Sequence, residues 1–103
     1  MDIIHLILTR MSNRENKEKI ILQLFMPGVM FMSRSEARSL LVGLEKFKKI
    51  VLDFDHVPNV GQAFADEVFR VFQSRHPEIS IEATNMNETV RFMVERVEKP
   101  KRR

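Results

Sequence analysis

Ile50-Val51-Leu52-Asp53-Phe54 is a short β-favouring run that follows directly on Lys46, Lys48 and Lys49 and leads into the loop 55–60. It reads as a central strand, and what lies on either side decides the fold. Upstream, Ser33-Arg34-Ser35-Glu36 matches a capping box, in which hydroxyl and carboxylate satisfy helix-end amides reciprocally. Ala37, Leu40, Leu41, Leu44 and Phe47 then recur at helical spacing, so one helix is expected from Ser33 to about Phe47. Lys46, Lys48 and Lys49 are expected to close it, where positive charge suits the helix dipole. Downstream, a second helix is expected to start near Gly61-Gln62. Its apolar positions Phe64, Val68, Val71 and Ala65, Phe69, Phe72 cover a broad face. Pro77 marks its exit, and Ile79, Ile81 and Ala83 alternate as a half-buried strand. Asn85 and Glu88 offer a cap for a last helix carrying Val90, Met93, Val94 and Val97. Strands separated by helices of this length imply parallel neighbours and right-handed crossovers.

The N-terminal third reads as β. Residues 3–8 and 20–25 are short apolar runs separated by a polar loop over 13–19. Pro27-Gly28 suits the two central positions of a type II turn, because Pro fixes φ and Gly supplies φ > 0. A third short run over 29–32 leads into the first helix. The fold class is therefore α/β, as a single domain over 1–97 with a basic, solvated tail over 98–103.

The composition agrees. A length of 103 residues with 44% apolar content supports one ordinary core without disulfide or metal. No cysteine is present, which excludes thiolate sites and thiol nucleophiles and fits a reducing compartment. No apolar run approaches the ~20 residues of a membrane span, and the start lacks a basic n-region and cleavage site. The expected location is the cytoplasm. The net charge is only +3, part of it in Lys99-Pro100-Lys101-Arg102-Arg103. Such a run is read as a solvated end. With no Tyr or Trp and Phe at buried-looking positions, nucleic acid is not an expected partner.

Familiar catalytic equipment is missing. His5, His56 and His76 stand far apart, and none shares an expected helix with a carboxylate at ligand spacing, so no metal or cofactor is expected. Only Gly28, Gly43 and Gly61 are present, too few for a glycine-rich phosphate loop. Asp66 and Glu67 are neighbours in a helix and point about 100° apart, so they do not make a facing acid/base pair. Complementing the positive end of their helix is the expected role. Asp53 and Asp55 flank a strand end and are read as turn formers. In a parallel layer, strand-to-helix junctions gather at the carboxyl edge of the sheet, the usual ligand edge. The junctions 32–35, 58–62 and 84–87 should meet there, each ending in a helix N-terminus with unsatisfied amides.

Two segments carry a resemblance. Phe31-Met32-Ser33-Arg34-Ser35-Glu36-Ala37-Arg38-Ser39-Leu40-Leu41, continuing to Leu44-Glu45-Lys46-Phe47, is the first. Val51-Leu52-Asp53-Phe54, with Val60-Gly61-Gln62-Ala63-Phe64-Ala65-Asp66-Glu67-Val68-Phe69-Arg70-Val71-Phe72, is the second. Over about 29–97 the chain resembles the bacterial STAS-like domains of unknown function, distant relatives of anti-sigma-factor antagonists. The resemblance implies a STAS-like, mixed but mostly parallel sheet faced by helices. It also implies docking to a signalling protein, with a histidine-kinase-like ATPase as the leading candidate partner. In well-understood relatives a serine at the start of the helix after the central strand is phosphorylated, and the phosphate abolishes docking. Here no hydroxyl occurs from Pro58 to Arg70, so the docking surface carries over and the phosphoserine switch does not.

The expectation is thus a non-catalytic, regulatory protein-interaction domain. Its partner-binding candidates are Ser33, Arg34, Ser35, Gly61, Gln62, Phe64, Asp66 and Glu67. The alternative is a small-ligand or nucleotide sensor using the same helix N-termini as an anion site. The sequence leaves homodimerisation open. If Ser33 starts the first helix, Ser33→Ala should cost ~0.5–2 kcal/mol. An unchanged denaturant midpoint would remove Ser33 as the cap.

Overall fold

The computed structural model describes residues 18–98. Three parallel strands form the sheet in the order β1-β2-β3: β1 (Lys19–Gln23), β2 (Lys49–Asp53) and β3 (Ser80–Thr84). Ile20 pairs with Ile50 and Ile50 with Ile81; Leu22 pairs with Leu52 and Leu52 with Ala83. That register stacks apolar side chains in rows across one face. On the opposite face of β1, Ile21 is 49% exposed. Every pairing among the described residues is parallel, in a sheet expected to be mixed but mostly parallel. The strand expected over 3–8 lies outside the described residues, as does all of the expected basic tail except Glu98.

Helices α1 (Arg34–Leu41), α2 (residues 62–75) and α3 (Glu88–Glu98) supply the other layer, with α2 packed against both neighbours. Leu22, Ile50 and Leu52 from the sheet, and Leu24 and Phe54 just after its strands, share one core with Leu40, Phe64, Val68, Val90 and Val94 from the helices. The middle of α2, Glu67–Phe72, is π-helical, and Glu67, Val68, Phe69 and Phe72 are all buried. Val71, expected on the buried face, is only half-buried. Among the described residues no helix is long and apolar enough to cross a membrane.

Four expectations need correction. The first helix does not continue to Phe47. Val42 leaves the helical region at ψ 126°, Gly43 adopts φ +82°, and Leu44–Lys46 forms a separate 3₁₀ turn. Gly43 makes this break at no steric cost, and Leu44 stays in the core. The three lysines therefore do not close α1, whose last turn carries Arg38 instead. Lys49 sits in β2 beside Glu82 at 3.4 Å, and Lys48 lies 3.7 Å from Glu18. Second, the run 29–32 is not a strand; it makes one isolated parallel bridge, Phe31 to Val60. Third, the strand expected over 20–25 is the shorter β1, after which the chain reaches the expected turn. Gly28 has φ +83°, and the Val29 amide donates to the Met26 carbonyl at 3.0 Å. Fourth, α3 is capped by Asn87, not Asn85: the Val90 amide donates to Asn87 Oδ1 at 2.8 Å.

At Gly61 two backbone segments come close together. A Cβ there would lie 2.3 Å from the Met32 carbonyl oxygen and 2.8 Å from Met32 Cα, both of them backbone atoms that cannot rotate away. Gly61→Ala should lower stability by ~1–3 kcal/mol, the usual range for overpacking a tight site. A melting temperature equal to the parent's would show that the junction gives way easily.

Candidate functional site

The carboxyl edge is built by three strand-to-helix junctions that hold one another. The Gly61 amide donates to the Phe31 carbonyl at 2.9 Å, and the Phe64 amide donates to the Met32 carbonyl at 3.2 Å. These bonds join 32–35 to 58–62. The third junction is tied in by Asn87, whose Nδ2 donates to the carbonyls of Val57 and Pro58 at 3.3 and 3.2 Å. All three expected junctions therefore meet at one edge.

At the first junction the sequence builds the cap it encodes. Ser33 is extended, with φ −104° and ψ 163°, and its Oγ accepts from the Glu36 amide at 3.1 Å. Glu36 Oε1 accepts in return from the Ser33 amide at 2.9 Å and the Met32 amide at 2.7 Å. Those bonds, Ser33's first and Met32's second, lower the Glu36 carboxyl below its usual value. Ser33 thus serves its own helix. Ser35 is exposed.

Arg34, Asp66 and Glu67 are also brought together, and mainly with each other. Arg34 Nη1 donates to Asp66 Oδ2 at 2.8 Å and to Glu67 Oε1 at 3.3 Å. Arg38 Nε reaches Glu67 Oε2 at 3.4 Å, and Arg70 Nη2 donates to Asp66 Oδ2 at 2.9 Å. The carboxylates expected to complement a helix end instead face guanidiniums from α1 and from one turn further along α2. Glu67 is only 5% exposed, and the arginines make its burial tolerable.

Two candidates do not face solvent as docking groups must. Phe64 is fully buried, its ring 5.3 Å from that of Phe31, and Glu67 lies under the arginines. Gly61 and Asp66 are half-buried, which leaves Ser33, Arg34, Ser35 and Gln62 at the surface. Sequence reasoning missed the exposed apolar residues of the loop before α1: Phe25 is 42%, Met30 57% and Met32 39% exposed. The signal was the dense apolar run around Pro27-Gly28, which reads equally as paired strands.

Beside this loop an open cleft of about 520 Å³ lies between His56 and Asn85, with Asp55, Met86 and Asn87 along it. His56 (φ +69°) and Asn85 (φ +56°) are the described non-glycine residues at positive φ. His56 lies 3.2 Å from Asp55, and its ring centroid is 5.7 Å from that of Phe25. Asp53 Oδ1 accepts from the Asp55 amide at 2.9 Å and from Asn85 Nδ2 at 3.0 Å, which is the work of a turn former. Among the described residues no three His, Asp or Glu side chains converge as a metal-ligand set.

The Arg70 and then the Arg34 guanidinium outweigh the opposing effect of burial and hold the Asp66 carboxyl at about 2, below its usual 3.8. Because the folded value lies below the unfolded one, this pairing stabilises above about pH 4 and is lost as pH falls toward 2. Asp66→Asn should flatten the stability profile across that window. An acid limb identical to the parent's would assign the dependence to other groups.

Comparison with known proteins completes the picture. No curated protein and no solved structure matches the chain. A family model described as the STAS-like domain of unknown function (DUF4325) matches residues 36–91, from the first helix through the start of α3. Ser33, Arg34 and Ser35 lie just before that span. The match covers more than half of the 103 residues, including most of α1 and every element from there to β3, so the chain belongs to this family of STAS-like domains.

Proposed function

We propose that this domain is a non-catalytic regulatory module that docks a signalling protein at the carboxyl edge of its sheet. The observation that carries the reading is the exposed apolar loop before α1. Phe25, Met30 and Met32 present adaptable apolar surface next to the junction that bears the exposed Gln62. Flexible thioether side chains suit a protein-binding surface. A histidine-kinase-like ATPase is the partner class that the family resemblance implies.

The alternative, an anion or nucleotide sensor, is less well supported. Its amides are already partly used: Glu36 N by Ser33, Phe64 N by Met32 and Val90 N by Asn87. Asp55 also borders the cleft, and a carboxylate there opposes an anionic ligand.

Regulation follows from the same residues. Between 58 and 70 there is no hydroxyl to phosphorylate, so docking is constitutive or follows the partner's own nucleotide state. Gln62 is the first residue of α2 and exposed. Gln62→Glu adds a negative charge that the helix N-terminus favours, so folding should survive while docking weakens.

The double variant Met30→Ser, Met32→Ser should keep the parent's melting temperature. It should bind a histidine-kinase-like ATPase of the native host at least roughly tenfold more weakly, the loss of ~1.4 kcal/mol. Calorimetric titration would read this directly. Equal affinity for parent, double variant and Gln62→Glu would place the interface elsewhere.

A further inference from the structure

The opposite end of the α1–α2 pair carries a second surface. Where both helices finish, a hollow of about 150 Å³ is lined by Arg38, Leu41, Val42, Phe72, Arg75 and His76, with the buried Glu67 behind them. Leu41 and Phe72 form an apolar floor at 5% and 9% exposure. The break at Gly43 leaves Val42 71% exposed on the rim, the highest value among the large hydrophobic side chains described.

The rim is cationic in excess. Arg38 is two-thirds exposed and touches only the edge of Glu67, at 3.4 Å, a carboxylate it shares with Arg34. Arg75 is exposed and has no ion pair among the described residues. His76 packs its ring on Phe72, with centroids 4.6 Å apart, and lies 3.8 Å from the exposed Glu78. Helix capping does not account for Arg75. The Phe72 carbonyl is taken by the His76 amide at 3.0 Å, and the His76 carbonyl by Gln73 Nε2 and the Ile79 amide. An apolar floor with an unpaired guanidinium on its rim matches one chemistry: an apolar side chain flanked by carboxylates.

We propose that this hollow docks an acidic segment of a protein partner, seating an apolar side chain on Leu41, Val42 and Phe72 while its carboxylates meet Arg38 and Arg75. The surface is separate from the carboxyl-edge loop and does not depend on it. A nucleic acid fits less well, because Phe72, packed on His76 and 9% exposed, shows too little of its ring to stack a base.

The test is an amide-resolved NMR titration of the full chain with a synthetic peptide holding two leucines between pairs of glutamates. Saturable shifts are expected at residues 38–42 and 72–76, with none at 30–33 or 61–63. Raising the salt should weaken them. Arg75→Glu, at a position with no ion pair among the described residues, should weaken binding by roughly fivefold or more while leaving the melting temperature unchanged. Val42→Ser should also weaken binding, through the apolar part alone. The proposal is overturned by absent saturation, by shifts centred on the carboxyl edge, or by equal binding of a lysine-substituted peptide. Tighter binding of a short single-stranded DNA at the same residues would overturn it too.

Discussion

The structure depends on the absence of one carbon atom. At Gly61 the backbone of the loop after β2 passes so close to Met32 that any side chain would strike its carbonyl. The contact is the centre of a short parallel association, with the Phe31–Val60 bridge on one side and the Phe64-to-Met32 bond on the other. Since 31–33 leads into α1 and 60–62 into α2, the contact starts the two helices side by side. Arg34, at the first position of α1, can then reach Asp66 and Glu67 one turn into α2. Were the junctions to separate, those carboxylates would lose a partner supplied from a distant part of the chain.

The ion cluster shows how uneven such pairings are in weight. Arg70 and Asp66 are four residues apart on one helix; Arg70 is exposed and Asp66 half-buried, and surface pairs at this spacing are typically worth less than ~1 kcal/mol. Glu67 is different, because it is buried, and a buried carboxylate stripped of its cations costs several times more. The π-helical segment explains how Glu67 comes to be inside. Successive residues of an α-helix turn by about 100°, so 67, 68 and 69 would sweep across more than one face. Widening the coil over Glu67–Phe72 lets three consecutive side chains and Phe72 share the buried side. One of the four is the carboxylate, and the guanidiniums of α1 sit where it emerges.

What could be read from the sequence was local. The capping box at Ser33, the Pro27-Gly28 turn and the strand-helix alternation each depend on neighbours within a few residues, and all are present. The errors arose where a distant contact decided between local equals. Leu41 and Leu44 are three residues apart, so the helical period ran unbroken across Gly43, although the backbone reverses there. Asn85 and Asn87 both precede Glu88. The spacing rule favoured Asn85, but its side chain is held by Asp53, thirty-two residues away. The apolar run 24–32 has the composition of strands, yet only Leu24 and Phe31 find partners like those of a sheet. Phe64, expected both on the apolar face of α2 and among the docking residues, is taken up by Phe31.

These same contacts separate the groups that hold the edge together from the groups left for a partner. Ser33, Glu36, Arg34, Asp66 and Asn87 each have at least one side-chain polar atom engaged within the chain. Phe25, Met30 and Met32 keep a large apolar part in water, and Gln62 stands exposed at the start of α2. A partner meeting this edge would find apolar surface to cover and a neutral amide to orient it, with few free amides or cations to attract charge. Apolar burial is largely insensitive to salt and carries no switch of its own. If a partner docks here as proposed, apolar surface would hold it, and any control would rest with the partner's own state.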